Sequence, residues 1–202
     1  MCKLLIIGAG GHGRVCADIA EKMKCWDNIV FADDNPPESF PYSVIGNSSI
    51  FWEDDCFISI GNNTQRQRLS RGRSLVTLVH PDAVIGNRVK MGAGSVVMAG
   101  VVINTDVQIG DGVIINTCAS VDHDCEVGDY SHISVGAHLC GTVRIGRNTW
   151  IGAGAIIKNN VQICDDCVIG AGAVVIKDIA EAGTYIGIPA RRAQFLRRCE
   201  DE

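Results

Sequence analysis

From Val79 to Val175 an aliphatic residue recurs at every sixth position: Val79, Ile85, Met91, Val97, Ile103, Ile109, Ile115, Val121, Val127, Ile133, Leu139, Ile145, Ile151, Ile157, Ile163, Ile169 and Val175. Two positions before each, from Ile85 on, stands a small or β-branched residue, running from Ala83 and Val89 through Ser95, Cys125, Ser131 and Thr149 to Cys167 and Ala173. A spacing of two is the pleat of an extended strand, and the helical pattern i, i+3, i+4, i+7 fits nowhere in the block. Six residues cannot bury an apolar face alone, so the copies must stack, both columns inward, into a solenoid. Three six-residue sides close a triangular coil. The hexads from Ile85 to Val175 then predict about five coils and a third, roughly 25 Å tall at about 4.8 Å per coil. The residue after the aliphatic column is often glycine (Gly86, Gly92, Gly110, Gly128, Gly146, Gly152, Gly170). That predicts that the corners needing open φ/ψ space fall there.

Before the block the pattern changes. Lys3 to Ile7 reads as an apolar strand, Gly8-Ala9-Gly10-Gly11-His12-Gly13 as a glycine-rich turn, and the next residues as a helix with Val15, Ile19 and Met23 on one face. This G-x-G-x-x-G spacing between strand and helix lets a backbone approach a pyrophosphate seated on the helix N-terminus. A second strand, 28–32, ends in Asp33-Asp34, where a carboxylate can meet a ribose or base. A proline-containing loop, a strand over 56–60, Gly61-Asn62-Asn63, a short helix over 64–70 and a strand over 75–79 complete the unit. Residues 1–78 are thus an α/β half-Rossmann, nucleotide-binding unit and 79–202 the solenoid with its tail. Half a dinucleotide fold suits a mononucleotide better than NAD.

The net charge of −5 and the lack of a basic run argue against nucleic acid. No apolar run reaches the ~20 residues of a membrane span, and Met1-Cys2-Lys3 leads into a strand, so the expectation is a cytoplasmic protein with no membrane contact. Ten cysteines are many, but Cys125 and Cys167 fall on the small inward column, where a thiol packs as a small hydrophobe. Cys164 and Cys167 lack the second pair of a zinc site, and no metal is expected. After Val175 come Tyr185 to Arg192 and then Arg197 and Arg198, a basic tail expected to cover the last coil's open edge.

Of five histidines, His123 stands out, flanked by carboxylates in Asp122-His123-Asp124-Cys125. His132 and His138 each precede an inward residue and should point outward, one side apart. An imidazole of ordinary pKa near 6.5 can take a proton from an amine. Adjacent residues of a strand point to opposite faces, so Asp124 reaches His123 only if a corner intervenes.

The hexad pattern resembles the hexapeptide repeat, whose fold is an all-β left-handed parallel β-helix. More specifically, the glycine-rich turn, Asp33-Asp34, Ile60 to Asn63, Val121 to Gly136 and Ile188-Pro189-Ala190-Arg191 are similar to the UDP-N-acetylbacillosamine N-acetyltransferase family. Its near relatives include sialic acid O-acetyltransferases. The resemblance implies acetyl-CoA-dependent N-acetylation of the 4-amino group of a UDP-linked 4-amino-4,6-dideoxy sugar in bacterial glycan biosynthesis, by a homotrimer. O-acetylation of sialic acid is the alternative. It implies that Gly10, Gly11, His12, Asp33, Asp34 and Gly61 hold the UDP-amino sugar. His123 would be the general base with Asp124 behind it, and acetyl-CoA would lie between subunits near His132, Ala153, Ala171 and Arg191. Asp124 stands where the family carries Glu. An NAD oxidoreductase, a zinc carbonic-anhydrase-like solenoid and a non-catalytic scaffold are the rival classes; the first lacks half its fold and the second its histidine spacing.

Overall fold

The structure, a computed structural model, describes residues 2–193; Arg197 and Arg198 lie outside them. Strand β1 (Lys3–Ile7) is the centre of a four-stranded parallel sheet with β2 (Asn28–Ala32), β3 (Val44–Gly46) and β4 (Asp55–Ile58), in the order β3-β2-β1-β4. Its central strands bury Leu4, Leu5, Ile6 and Ile7 completely or nearly so, as expected of a parallel sheet covered on both faces. Helix α1 (Gly11–Met23) follows the glycine turn and α2 (Asn63–Ser70) follows β4.

Several sequence expectations are corrected here. Of the expected face of α1, Ile19 is buried and Met23 packs on the core, but Val15 is 44% exposed, and the rest of the buried face is Gly13, Cys16, Ala17 and Ala20. The helix is wedged between the sheet and the first solenoid strand, and small residues permit that close approach where bulky ones would not. The loop after β2 holds the short strand β3, unmarked by any apolar alternation. The strand expected over 75–79 is split: Leu75 only bridges to Cys56, while Leu78–Val79 pairs with Val96–Val97 and so opens the solenoid sheet. The fourth strand also ends at Ile58, two residues early.

From Val84 to Val175, sixteen two-residue strands pair in parallel with those three hexads before or after them, giving three sheets that wrap one core. Both inward columns are buried from Ser95 to Val175. The first coil is only half buried at Val79, Ala83, Ile85, Val89 and Met91, being the open end of the stack. Polar members of the small column satisfy themselves on backbone: the Ser131 hydroxyl donates to the Gly146 carbonyl (2.7 Å), and the Thr149 hydroxyl to that of Cys164 (3.1 Å).

The glycine column has a different cause from the one its position predicts. None of Gly86, Gly92, Gly110, Gly128, Gly146, Gly152 and Gly170 has a positive φ. A Cβ on any of them would stand 2.3–2.7 Å from a neighbouring coil or, at Gly170, from Ile186. Close stacking excludes the side chain. The left-handed backbone falls two residues later in each hexad, at Arg88, Gly94, Gly100, Asp106, Gly112, Cys118, Asp124 and onward to Gly172.

The prism has three outward faces. The first carries Leu78, Val96, Ile114, His132, Trp150 and Val168. The second carries Val84, Val102, Ser120, His138, Ile156 and Val174, and the third Lys90, Gln108, Glu126, Arg144 and Gln162. The N-terminal unit lies on the first face. Leu78, Val96 and Ile114 are at most 1% exposed and His132 8%, whereas Trp150, above the covered part, is 45% exposed. At the top, Thr184–Ile186 pairs with Val168–Ile169, and Arg191–Arg192 folds back antiparallel on it.

Candidate active site

His123 stands on the corner between the second and third faces, half exposed. Asp124, the next residue, is the left-handed residue of that corner (φ +58°). The corner turns its side chain back, so that the carboxylate meets His123 Nδ1 at 2.7 Å. A carboxylate can only accept, which puts the ring proton on Nδ1 and leaves Nε2 with a lone pair. The Asp124 hydrogen bond, aided by the charges of Asp122 and Asp124, holds the His123 pKa above the ordinary imidazole value. Asp122 braces the backbone: its Oδ1 accepts from the His123 N–H (2.8 Å) and from Asn104 Nδ2 one coil below (2.6 Å). The carboxylate that the sequence puts one residue from the base therefore touches it.

The glycine-rich turn divides into two kinds of glycine. Gly8 (φ +112°) and Gly13 are required by the fold, since a Cβ would come within 2.7 Å of Ile60 or 2.1 Å of the Gly8 carbonyl. Gly10 has nothing within 4 Å of its Cβ position and Gly11 only Arg14 at 3.9 Å. Gly10 caps α1 without any side-chain hydrogen bond, and no acidic residue occupies the first turn. That leaves the helix N-terminus bare for an anion. Asp33 faces the turn, accepting from the Ala9 N–H (2.6 Å), and Asp34 is held by the Ser48 N–H (2.8 Å) and hydroxyl (2.9 Å). Those bonds depress the Asp34 pKa. A cleft of ≈ 190 Å³ runs between Gly8, Asp33, Asp34, Asn35, Ser48, Ile60 and Leu69. Gly61, just before the Asn62 cap of α2, likewise has free space above it.

Between this turn and the solenoid lies a buried polar junction. The guanidinium of Arg66, 1% exposed, donates to the carbonyls of Ile60, Gly112 and Tyr130 and to Asn63 Oδ1 at 2.7–3.0 Å. It thus pins α2 to two solenoid coils. Its charge and the burial around it hold His12 and His132 neutral: burial first and Arg66 second push the pKa of His12 down to about 4 and that of His132 to about 3. His132 stacks on Trp150 (5.5 Å between ring centroids, 6° between planes), and its Nε2 meets Asn116 at 3.1 Å. Its Nδ1 has no partner among the described residues. His138, by contrast, is exposed on the second face, 2.8 Å from the Ser120 hydroxyl. Sequence reading passed over Arg66, Asn116, Trp150 and Ser48. The coil length could have flagged two of them: Asn116 lies at the end of the strand pair below His132, and Trp150 stands one full coil after it.

Ala153 and Ala171 lie on the corner between the first and second faces, beside Gly154 and Gly172, whose Cβ positions are open. Arg191 is exposed on the last described strand, and its guanidinium donates to the Ala190 carbonyl (3.0 Å). Among the described residues no group of His, Cys, Asp and Glu is arranged to hold a metal ion, and no helix is long and apolar enough to cross a membrane.

Residues 3–72 match the model of the PglD N-terminal domain, and residues 142–177 that of the bacterial transferase hexapeptide (six repeats). The chain is similar to the acetyltransferase domain of PglB from Neisseria gonorrhoeae at 40% identity, over 96% of this chain and 100% of that one, with a TM-score of 0.92. The complex of that domain with acetyl coenzyme A also matches (40% identity, 95% and 98% covered, TM-score 0.90). PerB from Caulobacter crescentus, in complex with CoA and GDP-perosamine, matches at 36% identity over 96% and 98%, with a TM-score of 0.86. Opposite windings of a coil do not superpose, so the chain shares their handedness.

Proposed function

The chain belongs to the UDP-N-acetylbacillosamine N-acetyltransferase family of hexapeptide-repeat acyltransferases, and on that premise we propose that it acetylates the 4-amino group of a UDP-linked 4-amino-4,6-dideoxy sugar from acetyl-CoA. The diphosphate sits on the bare N-terminus of α1 over Gly10 and Gly11, with His12 at the edge of the turn. Asp33 and Asp34 line a cleft of ≈ 190 Å³ that gives the nucleoside its route, with Gly61 beside Ile60 at its edge. Binding energy from the remote nucleotide holds a small sugar at the thioester, which a free sugar cannot do for itself.

His123 Nε2 takes the proton that the amine loses as its nitrogen attacks the acetyl carbonyl. The C–S bond then breaks, and CoA leaves as the thiol after collecting that proton. Asp124 stabilises the imidazolium formed in between. No protein nucleophile is needed, because the thioester is already activated.

One observation carries the quaternary part of the reading: His123 lies on the corner opposite the face that bears the N-terminal unit. Base and acceptor unit of one chain cannot meet around their own prism. The second face exposes Val84 (62%), Val102 (38%) and Ile156 (41%), an apolar surface that suits burial around a threefold axis. With that face inward, the corner of Ala153 and Ala171 in one subunit abuts the His123 corner of the next. CoA then runs in that seam, toward His132 at the junction and Arg191 at the top.

The test is thiol release from acetyl-CoA with UDP-, GDP- and dTDP-linked 4-amino sugars and with sialic acid. Fastest turnover on the UDP-amino sugar is expected. Preference for sialic acid would establish O-acetylation instead, and preference for a GDP sugar would overturn the nucleotide.

A further inference from the structure

Gly141 follows His123 by one full coil and so lies directly over it, where the Thr142 N–H donates to the His123 carbonyl (2.9 Å). A Cβ on Gly141 would stand 2.6 Å from His123 Nε2, 2.7 Å from Cε1 and 3.2 Å from Cδ2. An atom approaching along the in-plane lone pair would be distinctly farther from both ring carbons than from Nε2. The Cβ position therefore faces the flat of the ring, and the imidazole lies face-on against the bare Cα of Gly141. Its edge is left to Asp124 on one side and to the incoming amine on the other. The backbone below is fixed through Asp122 and Asn104.

We propose that Gly141 is a positioning residue for the base: the missing side chain is what allows the His123 ring to lie flat on the next coil with Nδ1 on Asp124. This rests on His123 acting as the base. The requirement is one of space, since Gly141 has no positive φ and alanine would meet only the far end of a side chain free to swing. The charged groups around the ring are Asp122 and Asp124 on its own corner, Asp106 and its ion-pair partner Arg88 on the coils below, and Lys158 two coils above Asp122. Cys140 and Thr142 are the side chains flanking Gly141. A ring pushed off Asp124 loses the hydrogen bond that most raises its pKa.

The experiment compares Gly141→Ala, Asp124→Asn, the double variant and His123→Ala by steady-state kinetics across pH. For Gly141→Ala, kcat is expected to fall ~10-fold or more with both KM values within about 2-fold. The acid limb of kcat/KM should move to lower pH, as in Asp124→Asn, and the double variant should be no worse than the worse single one. A 15N NMR titration of the His123 ring in Gly141→Ala reads the same shift without turnover. An unchanged ring pKa, an unmoved acid limb or additive losses in the double variant would overturn the positioning role while leaving His123 as base. Retained activity in His123→Ala would instead remove the base, and this role with it.

Discussion

At the corner between the second and third faces a histidine stands in solvent with a carboxylate on its Nδ1. At the junction under the N-terminal unit two histidines lie under cover beside a guanidinium. The side chain is the same and the titration is opposite. Asp124 favours the imidazolium of His123, which is the bias that the proposed general base requires. Burial and Arg66 disfavour the imidazolium of His12 and His132, so those rings stay neutral and serve as fixed donors and acceptors. Environment, more than residue type, separates a proton carrier from a structural or ligand-orienting group.

The largest effect that would break this contrast is at the corner. His123→Ala should lower kcat by ~10²–10⁴ while acetyl-CoA binding, followed by calorimetry, is kept. Near-normal turnover would take His123 out of the mechanism.

A smaller loss is expected on the other side of the comparison. Gly11→Val fills the open space over the turn and should raise KM for the nucleotide sugar ~10-fold or more, leaving acetyl-CoA affinity alone; Asp34→Ala should do the same more weakly. Because corner and junction of one site come from different subunits in the proposed trimer, refolding His123→Ala together with Gly11→Val should restore about a quarter of wild-type sites. Assayed well below the KM of Gly11→Val, mixtures no more active than the mean of their two parents would argue for sites built within single chains.

The smallest effect is on stability. His12 and His132 have folded pKa values of about 4 and about 3, below the ordinary 6.5. Between these limits the unfolded chain binds the protons, so their contribution is present above pH 6.5 and is lost as pH falls. The slope is on the order of 1.4 kcal/mol per pH unit per histidine. Thermal midpoints measured from pH 7 to pH 5 should decline, and His132→Gln should flatten the decline. An equal slope in that variant would mean that the junction is open to water.

The unbroken period of six made the solenoid legible, because each copy repeats the same inward and outward choice and only stacked copies hide both columns; the hand of the coil came from the family resemblance. The glycine turn and the carboxylates around His123 could also be read, since those motifs are local. Three things were out of reach. The cause of the glycine column lay in the next coil, a whole turn of chain away, and the corner that needed the left-handed backbone was two residues further on. The third face announces itself by its polar outward residues, but the first two each mix Val and Ile with one histidine, so only packing decided that Ile114 and His132 would be covered by the N-terminal unit while Ile156 and His138 stayed open. Arg66 reads as one more exposed cation on a short polar helix. It became the pin of the junction because carbonyls from two solenoid coils converge on the spot where α2 docks. A repeating local pattern determines the stacking, but contacts between coils and between units depend on distances that no stretch of sequence contains.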